Sequence, residues 1–269
     1  MSRKIIVITT IILITAFFTT GFISGDQDRQ IHSDLYGSQN IESTVGRLQD
    51  DPIQEMIDEV NLERVLSDLR VLAGEEPLCT SHGCNTITGR ETGTEELQWV
   101  KDYVSETLIN LHYSVEVLDW NSEGYSDQNI LAHKQGRLYP EEEIYFIAHM
   151  DGYLVNNPAA DDDGSGVVSL LELARILSSR QISRSITLFF STGEEHGALG
   201  ASEFVENYPD RMDNINYLVS VEMLGFDSNN DGVMELWNGS DPLDFTQLLS
   251  NVIFDYGINL SPEIVSGCT

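Results

Sequence analysis

Acidic and imidazole side chains stand at the ends of two apolar runs in the middle of the chain. The run IYFIAH ends at His149, with Asp151 two residues further on, and the run ITLFFSTGEE ends at the pair Glu194 and Glu195. Zinc in proteins binds imidazole and carboxylate ligands, and a catalytic zinc site keeps one position open for water. In an adjacent pair, one carboxylate can bind the metal while the other takes a proton from water. These residues therefore indicate a metal site with hydrolytic chemistry.

Three consecutive aspartates, Asp161, Asp162 and Asp163, precede a Gly-Ser-Gly turn at the start of a buried helical pattern. One aspartate in that place suits a helix N-cap, where its oxygen accepts first-turn N–H groups and its charge suits the helix dipole. Three together repel one another unless a cation neutralises them, which favours a cation site. Glu222, in YLVSVEMLGF, is flanked by apolar residues and also requires a partner, because an unpaired buried charge is costly.

The elements that carry these residues alternate between strand and helix patterns, which indicates an α/β sandwich with a sheet that is at least partly parallel. In such sheets, sites gather at the carboxyl ends of the strands, where His149, Glu194, Glu195 and Glu222 all fall. Apolar spacing predicts helices from Pro52 through residue 69 and over 95–111, 167–177, 199–207 and 245–256. Strands are predicted over 113–120, 129–134, 144–149, 186–191, 217–223 and 234–237.

Composition excludes one class of partner. The 269 residues include 14 basic and 44 acidic side chains, a net charge of −30 that argues strongly against nucleic-acid binding. Two sources remain open for such a surface: a salt-adapted organism, or an acidic secreted protein. Because carboxylates are so abundant, acidic residues alone are weak evidence for a metal, and their spacing has to decide.

The first 24 residues are predicted to be a targeting segment. Arg3 and Lys4 precede an apolar stretch from Ile5 to Phe18, and weaker apolar character continues to Ser24. A cleaved signal peptide is favoured slightly over a retained anchor through residues 5–24, and either places the remainder outside the cytoplasm, secreted or anchored at the membrane. Residues 25–52 are polar and acidic and are predicted to be a linker or pro-segment. Residues 53–269 are left for the functional domain.

The three cysteines allow two interpretations. In an oxidising compartment Cys79 and Cys84 could close a small disulfide loop, which is favoured over a zinc site of Cys79, His82 and Cys84 because that set is short of ligands and poorly spaced. Cys268 is left over, as a free thiol or the partner of a cysteine outside this sequence.

Four ordered motifs, AHMD, ADDDGSG with its LLELAR helix, TGEEHGALGA and VEMLGFD, resemble the di-zinc aminopeptidases of metallopeptidase family 28. The similarity extends from about Val65 to the end of the chain. It implies a three-layer α/β/α sandwich with a mixed, mostly parallel sheet, as in zinc exopeptidases. It also implies peptide substrates and two zinc ions about 3.5–4 Å apart.

The resemblance also implies roles for individual residues. His149 and Glu222 would bind one zinc, Asp162 would bridge both, and Glu195 would bind the second. Glu194 matches the general base, and Asp151 matches the residue that orients the histidine. Glu222 stands where many relatives have aspartate, and either carboxylate can bind zinc.

One departure concerns the last ligand, which in the family is a histidine in a Ser-Asp-His type segment downstream of the Glu222 motif. None of the 6 histidines of this chain follows Glu222. The sequence is therefore expected to be truncated at its C-terminus, with an incomplete second zinc position that could leave it inactive as written. His196 follows the glutamate pair and is expected to have a structural role.

Three other functional interpretations stay open. A carboxypeptidase or a glutaminyl-cyclase-like enzyme could use the same fold, and a non-catalytic surface binding protein could use the same scaffold.

A second cation site is also conceivable in DSNNDGVME, where Asp227, Asn229, Asp231 and Glu235 match part of a calcium loop. That loop lacks the bidentate glutamate at its twelfth position, so a polar turn is favoured over calcium binding.

Overall fold

The computed structural model describes residues 51–239 and 244–266, which form two compact units. The larger unit comprises residues 61–228, and the smaller comprises 51–60 with the described residues from 229 onward. The targeting segment, nearly all of the predicted linker and Cys268 lie outside the described residues. None of the helices that the described residues form combines the length and apolar composition needed to span a bilayer.

The larger unit is built on a mixed five-stranded sheet with the strand order β3-β4-β6-β5-β7. Strands β6, β5 and β7 are parallel neighbours, whereas β4 pairs antiparallel with both β3 and β6. Four strands therefore run in one direction and β4 runs in the other, which confirms the mostly parallel sheet. The strands are β3 Ser114–Ser122, β4 Tyr125–Lys134, β5 Tyr139–His149, β6 Arg184–Ser191 and β7 Ile215–Ser220.

Helices cover both faces of this sheet and complete the three layers that the family resemblance implies. Helix α4 packs against β5 and β6 and contacts α2 and α3, while α5 packs against β3 and β4. On the α5 face, Phe204 joins a buried cluster with Leu118, Leu131, Tyr145 and Phe189. The helices are α1 Pro52–Glu59, α2 Leu62–Leu72, α3 Glu95–Asn110, α4 Gly164–Ser178, α5 Leu199–Asn207, α6 Pro209–Met212 and α7 Asp244–Asp255.

The helical pattern that begins at Pro52 forms two helices. Asp51 caps α1 by accepting hydrogen bonds from the backbone N–H groups of Ile53 and Gln54, and Pro52 occupies the first turn. Val60 then leaves the helical conformation, with ψ at 122°, and Asn61 caps α2 by accepting from Arg64 N–H. The sequence pattern did not reveal this break, because the apolar residues keep their helical spacing on both sides of it.

Strand β7 corrects one prediction. Residues 217–223 were expected to be a buried strand, but β7 ends at Ser220 and alternates between half-buried and exposed residues. Leu218 is 58% exposed. Within the described residues β7 pairs only with β5, so its outer edge has no neighbour there. Burial of an apolar strand depends on the elements that pack beside it, and a local apolar run does not indicate whether such elements are present.

The remaining strands are short. Strands β1 (Leu78–Thr80) and β2 (Gly83–Asn85) form an antiparallel pair in which Cys79 faces Cys84. In the smaller unit, β8 (Val233–Asn238) and β9 (Ser261–Ser266) pair in parallel, and α7 contacts both. Strands β1, β2 and β9 were not predicted. β1 and β2 have three residues each, too few for a periodic signal, and Pro262 within β9 argues against a strand there.

Candidate metal centre

His149 is the last residue of β5, and its ring points into the acidic residues at the carboxyl edge of the sheet. The side chain is 2% exposed. Its Nε2 lies 3.0 Å from Asp162 Oδ1 and 3.8 Å from Glu194 Oε2. Its Nδ1 lies 3.1 Å from the backbone oxygen of Asp151. A hydrogen bond from Nδ1–H to that oxygen leaves Nε2 available as a metal ligand.

Asp151 is fully buried and ties the histidine to the glutamate pair. Its carboxylate accepts the backbone N–H groups of Glu194 and Glu195, each at 3.3 Å, and the Thr92 hydroxyl at 3.0 Å. The carboxylate lies 3.6 Å from His149 Nδ1, so the closest contact to the ring is made by the Asp151 backbone instead. Asp151 can therefore fix the ring and the glutamate turn together.

The three aspartates divide their contacts. Asp163 is the N-cap of α4: its carboxylate accepts from Gly166 N–H at 3.0 Å and from His149 N–H at 3.2 Å. Asp161 accepts from Gly225 N–H at 2.7 Å. The side chain of Asp162 is 49% exposed and faces His149. Of the three, only Asp162 has a carboxylate directed at the histidine ring without a backbone N–H partner among the hydrogen bonds described.

Glu194 and Glu195 begin a single 3₁₀ turn, Glu194–His196, that follows β6. Gly193 enters this turn with φ at +75°, and a Cβ there would lie 2.6 Å from the Trp120 ring, so glycine is needed on both counts. One ligand atom from each of His149, Glu194 and Glu195 lies within 4.8 Å of the others. In the described part of the chain, this is the only group of three such side chains at that spacing.

Glu222 lies nearby but outside that group. It follows β7 by two residues, is exposed, and its carboxylate is 3.4 Å from the Ser220 hydroxyl. Together with His149 and Glu194 it lines a cavity of about 250 Å³. Its negative charge raises the pKa of both Asp163 and Glu194. The expectation of a buried Glu222 is therefore wrong, although the residue does face the site.

The electrostatics of the site reflect an excess of negative charge. Burial alone would lower the pKa of His149, but the hydrogen bond with Asp151 and the charges of Asp163, Asp151 and Glu194 raise it to about 10. Burial raises the pKa of Glu194, and repulsion from neighbouring carboxylates adds to that rise. Burial and the charge of Asp162 do the same for Glu195. A bound dication would relieve this repulsion, which is the expected property of a metal centre.

The donor set fits zinc. An imidazole nitrogen with a fixed tautomer and several carboxylate oxygens are ligands that zinc accepts. The residues that could hold it are His149, Asp162, Glu195 and Glu222, with Glu194 close enough to act either as base or as a further ligand.

Arg90 and Thr92 also belong to this region and were missed by sequence reasoning. Thr92 donates to Asp151, and the Arg90 side chain donates to the backbone oxygen of Ala159 at 2.8 Å. Both lie in the loop between β2 and α3, about sixty residues before the motifs they contact. That loop has no periodicity or ligand spacing that could have pointed to them.

The remaining residues that the sequence analysis singled out, namely His196, the cysteine pair and the calcium-loop residues, make contacts away from the group of His149, Glu194 and Glu195. His196 stacks on Tyr125, with ring centroids 4.0 Å apart. Cys79 and Cys84 are joined in a disulfide, which leaves their sulfurs unable to act as thiolate ligands with His82. Asn229 donates to Asp231 at 2.6 Å, and Glu235 accepts from Trp237 Nε1 at 2.9 Å. The Asn229–Asp231 contact is typical of a polar turn, and the Glu235–Trp237 contact lies within β8. A calcium site on Asp227, Asn229, Asp231 and Glu235 stays a prediction.

Gly166 offers a structural test of this arrangement. A Cβ at this position would lie 2.4 Å from the Val221 backbone oxygen and 2.4 Å from both carboxylate oxygens of Asp163. Gly166→Ala is expected to lower the free energy of unfolding by about 3 kcal/mol, because backbone and a buried carboxylate must both move. Urea denaturation measures the change.

Gly239→Ala is the matched control for that substitution, because a Cβ there meets no atom within 4 Å. It should change the free energy of unfolding by less than about 1 kcal/mol. Equal stability of the Gly166→Ala and wild-type proteins would contradict the close packing between α4 and the segment after β7.

The chain matches a family model and several known proteins. Residues 129–267, about half of the chain, match the family model described as Peptidase family M28. A probable zinc metalloprotease of Pyrenophora teres f. teres is 26% identical over 209 residues, covering 70% of this chain and 44% of that protein. Leucine aminopeptidase 1 of Paracoccidioides brasiliensis is 28% identical over 148 residues, covering 50% and 37%. The chain thus spans less than half of these curated relatives.

Solved structures share the fold. The LapA aminopeptidase of Legionella pneumophila superposes with a TM-score of 0.64 at 18% identity, covering 91% of this chain and 64% of that one. A glutaminyl cyclase of Macrostomum lignano superposes with a TM-score of 0.62 at 15% identity, covering 86% and 78%. At these identities the likeness concerns the fold alone.

Proposed function

Because the chain belongs to peptidase family M28, we propose that it is a zinc-dependent aminopeptidase that removes amino-terminal residues from peptides. One observation carries the proposal: ligand atoms of His149, Glu194 and Glu195 gather within 4.8 Å at the carboxyl edge of the parallel strands. The family match and the aminopeptidase among the relatives support this reaction.

The proposed ligands are His149 and Glu222 for one zinc, Glu195 for a second, and Asp162 between the two. Zinc, when bound, supplies a Lewis acid that polarises the scissile carbonyl and lowers the pKa of a water. The contact of His149 Nδ1 with the Asp151 backbone oxygen, at 3.1 Å, supports the assignment of Nε2 as the donor atom. The exposure of Asp162 and Glu222 keeps their carboxylates accessible to an arriving ion.

Glu194 is the proposed general base. It takes a proton from the attacking water and delivers it to the departing amine. Burial raises its pKa, so its carboxylate accepts a proton more readily than an exposed glutamate does. Asp151 holds Glu194 in place by accepting its backbone N–H at 3.3 Å.

The protein is proposed to act outside the cytoplasm, with residues 53–269 forming its catalytic part. The basic start and apolar stretch Ile5–Phe18 support export, as a cleaved signal or an anchor. The Cys79–Cys84 disulfide supports an oxidising compartment.

Metal removal tests the proposal directly. The purified protein is treated with a chelator, dialysed and then given zinc, and hydrolysis of a short peptide with a free amino terminus is followed at each stage. Hydrolysis should fall to background and return with zinc. Activity that survives complete metal removal would contradict the proposal.

Blocked peptides separate the remaining activities of this fold. Acetylation of the amino terminus should abolish cleavage, whereas amidation of the carboxyl terminus should not. The reverse pattern would identify a carboxypeptidase. Ring closure of an amino-terminal glutamine, without hydrolysis, would identify a cyclase like the structural neighbour. A protein that binds zinc and peptide but leaves the peptide chemically unchanged would be a binding protein.

A further inference from the structure

Arg90 is a fully buried arginine behind the candidate metal centre, and neither the family match nor the ligand set gives it a role. Its side chain is 0% exposed. Nη2 donates to the Ala159 backbone oxygen at 2.8 Å, while Nε and Nη1 are buried without a hydrogen-bond partner. A buried guanidinium is costly unless nearby charges compensate for its lost hydration. The compensation must therefore come from charges around it.

The site aspartates provide those charges. Burial lowers the pKa of Arg90 to about 10, and the negative charges of Asp163, Asp151 and Asp162, in that order, oppose the change. The same three aspartates lie around His149. Arg90 therefore reduces their mutual repulsion from the interior side, whereas a metal ion would reduce it from the exposed side, at Asp162.

Arg90 also joins the two chain segments that carry the site. Its backbone oxygen accepts from Gly152 N–H at 3.0 Å, directly after Asp151. Its side chain holds the carbonyl of Ala159, which also accepts from Gly164 N–H at 3.0 Å, so the segment that contains Asp162 is held at both ends. Ala159 has φ at +51°, a conformation that non-glycine residues seldom adopt without supporting contacts.

We infer that Arg90 is a positioning residue whose charge keeps the aspartates of the metal centre assembled, so that Asp162 faces His149 before a metal binds. The inference rests on the proposed zinc site. Without the cation, repulsion would move the aspartates apart and loosen the segment between Ala159 and Gly164, and zinc binding would have to reverse that change. Removal of the charge should thus weaken zinc binding even though it makes the site more negative.

The test measures zinc affinity by competition with a chromophoric chelator, together with thermal unfolding of the metal-free and zinc-loaded proteins. Arg90→Met and Arg90→Gln remove the charge and should weaken zinc binding by about tenfold or more, the usual effect of losing a residue that supports metal ligands. Arg90→Lys keeps a cation and should bind zinc within about threefold of wild type.

Arg64→Met is the matched control. Arg64 pairs with the buried carboxylate of Glu172 at 2.6 and 2.7 Å in the same unit, on α2 and α4. Its loss should lower the melting temperature of metal-free and zinc-loaded proteins alike and leave zinc affinity unchanged. This result separates a general loss of stability from a loss of site geometry.

Three results would overturn the role of Arg90: unchanged zinc affinity in a folded neutral variant, tighter zinc binding in that variant, or a loss above about tenfold in folded Arg90→Lys. The last decides the question even if the neutral variants do not fold. Peptide hydrolysis is not read in this experiment. A wild-type protein that binds zinc but cleaves no peptide would refute the proposed function and leave the test of Arg90 valid.

Discussion

Replacing Glu194 by glutamine is expected to lower kcat for peptide hydrolysis by about 10²–10⁴-fold, the contribution typical of a general acid–base group. Glutamine keeps the shape of the side chain but cannot take a proton from water at neutral pH. The backbone N–H of residue 194 still reaches Asp151, so the turn that carries Glu195 should be preserved. Steady-state kinetics with a free-amine peptide measure the effect.

Zinc content decides how that result is interpreted. Glu194 lies within the same 4.8 Å group as His149 and Glu195, so geometry alone allows it to be a ligand. If Glu194 is a base, the Glu194→Gln protein should keep its full zinc content. If Glu194 is a ligand, the substituted protein should lose zinc. Glu206→Gln, on the exposed side of α5, removes the same charge away from the site and should leave kcat within about twofold of wild type. Normal hydrolysis by Glu194→Gln would refute the mechanism.

Replacing Asp162 by asparagine is expected to weaken zinc binding by about a hundredfold or more, because the proposed bridging position loses its charge. Asparagine preserves size and leaves the neighbouring backbone contacts in place. The zinc-dependent gain in stability should disappear as well, since a ligand at a hundred times its Kd stabilises a protein by about 2.7 kcal/mol. Metal analysis after dialysis and thermal unfolding with and without zinc measure both effects.

Asp161→Asn is the matched control for that substitution. It makes the same chemical change one residue earlier, where the carboxylate accepts Gly225 N–H at 2.7 Å and an amide oxygen can still accept it. Zinc binding should be retained. If both variants lost zinc to the same extent, the negative charge of the segment would matter and the bridging position of Asp162 would not.

Helix and strand positions were largely predictable from local periodicity. Helix α5 spans 199–207 as predicted, and α3, α4 and β6 differ from prediction by a few residues at their ends. Such elements have a complete apolar face within their own sequence, so the local pattern contains most of the information. The short strands β1, β2 and β9 lack that face, and their existence depends on a pairing partner elsewhere in the chain.

The residues of the candidate site were predictable, but the contacts that each of them makes were not. His149 ends one apolar strand, and Glu194 and Glu195 follow another. Parallel neighbouring strands bring their carboxyl ends to one edge. Which of Asp161, Asp162 and Asp163 faces the histidine was given by the family resemblance, because the three are chemically identical. The structure distinguishes them by the N–H groups that two of them accept.

By itself, then, the sequence determined that ligand-type residues lie at or just after the ends of strands in a partly parallel sheet, because residue type and strand periodicity are local properties of the chain. Tertiary structure alone decided how deep each residue lies and what it contacts. It exposed Glu222, placed β7 at an edge of the described sheet, and brought Arg90 behind residues about sixty to seventy positions away. Burial and pairing arise from contacts between distant segments, and these give each carboxylate of the site its separate chemical environment.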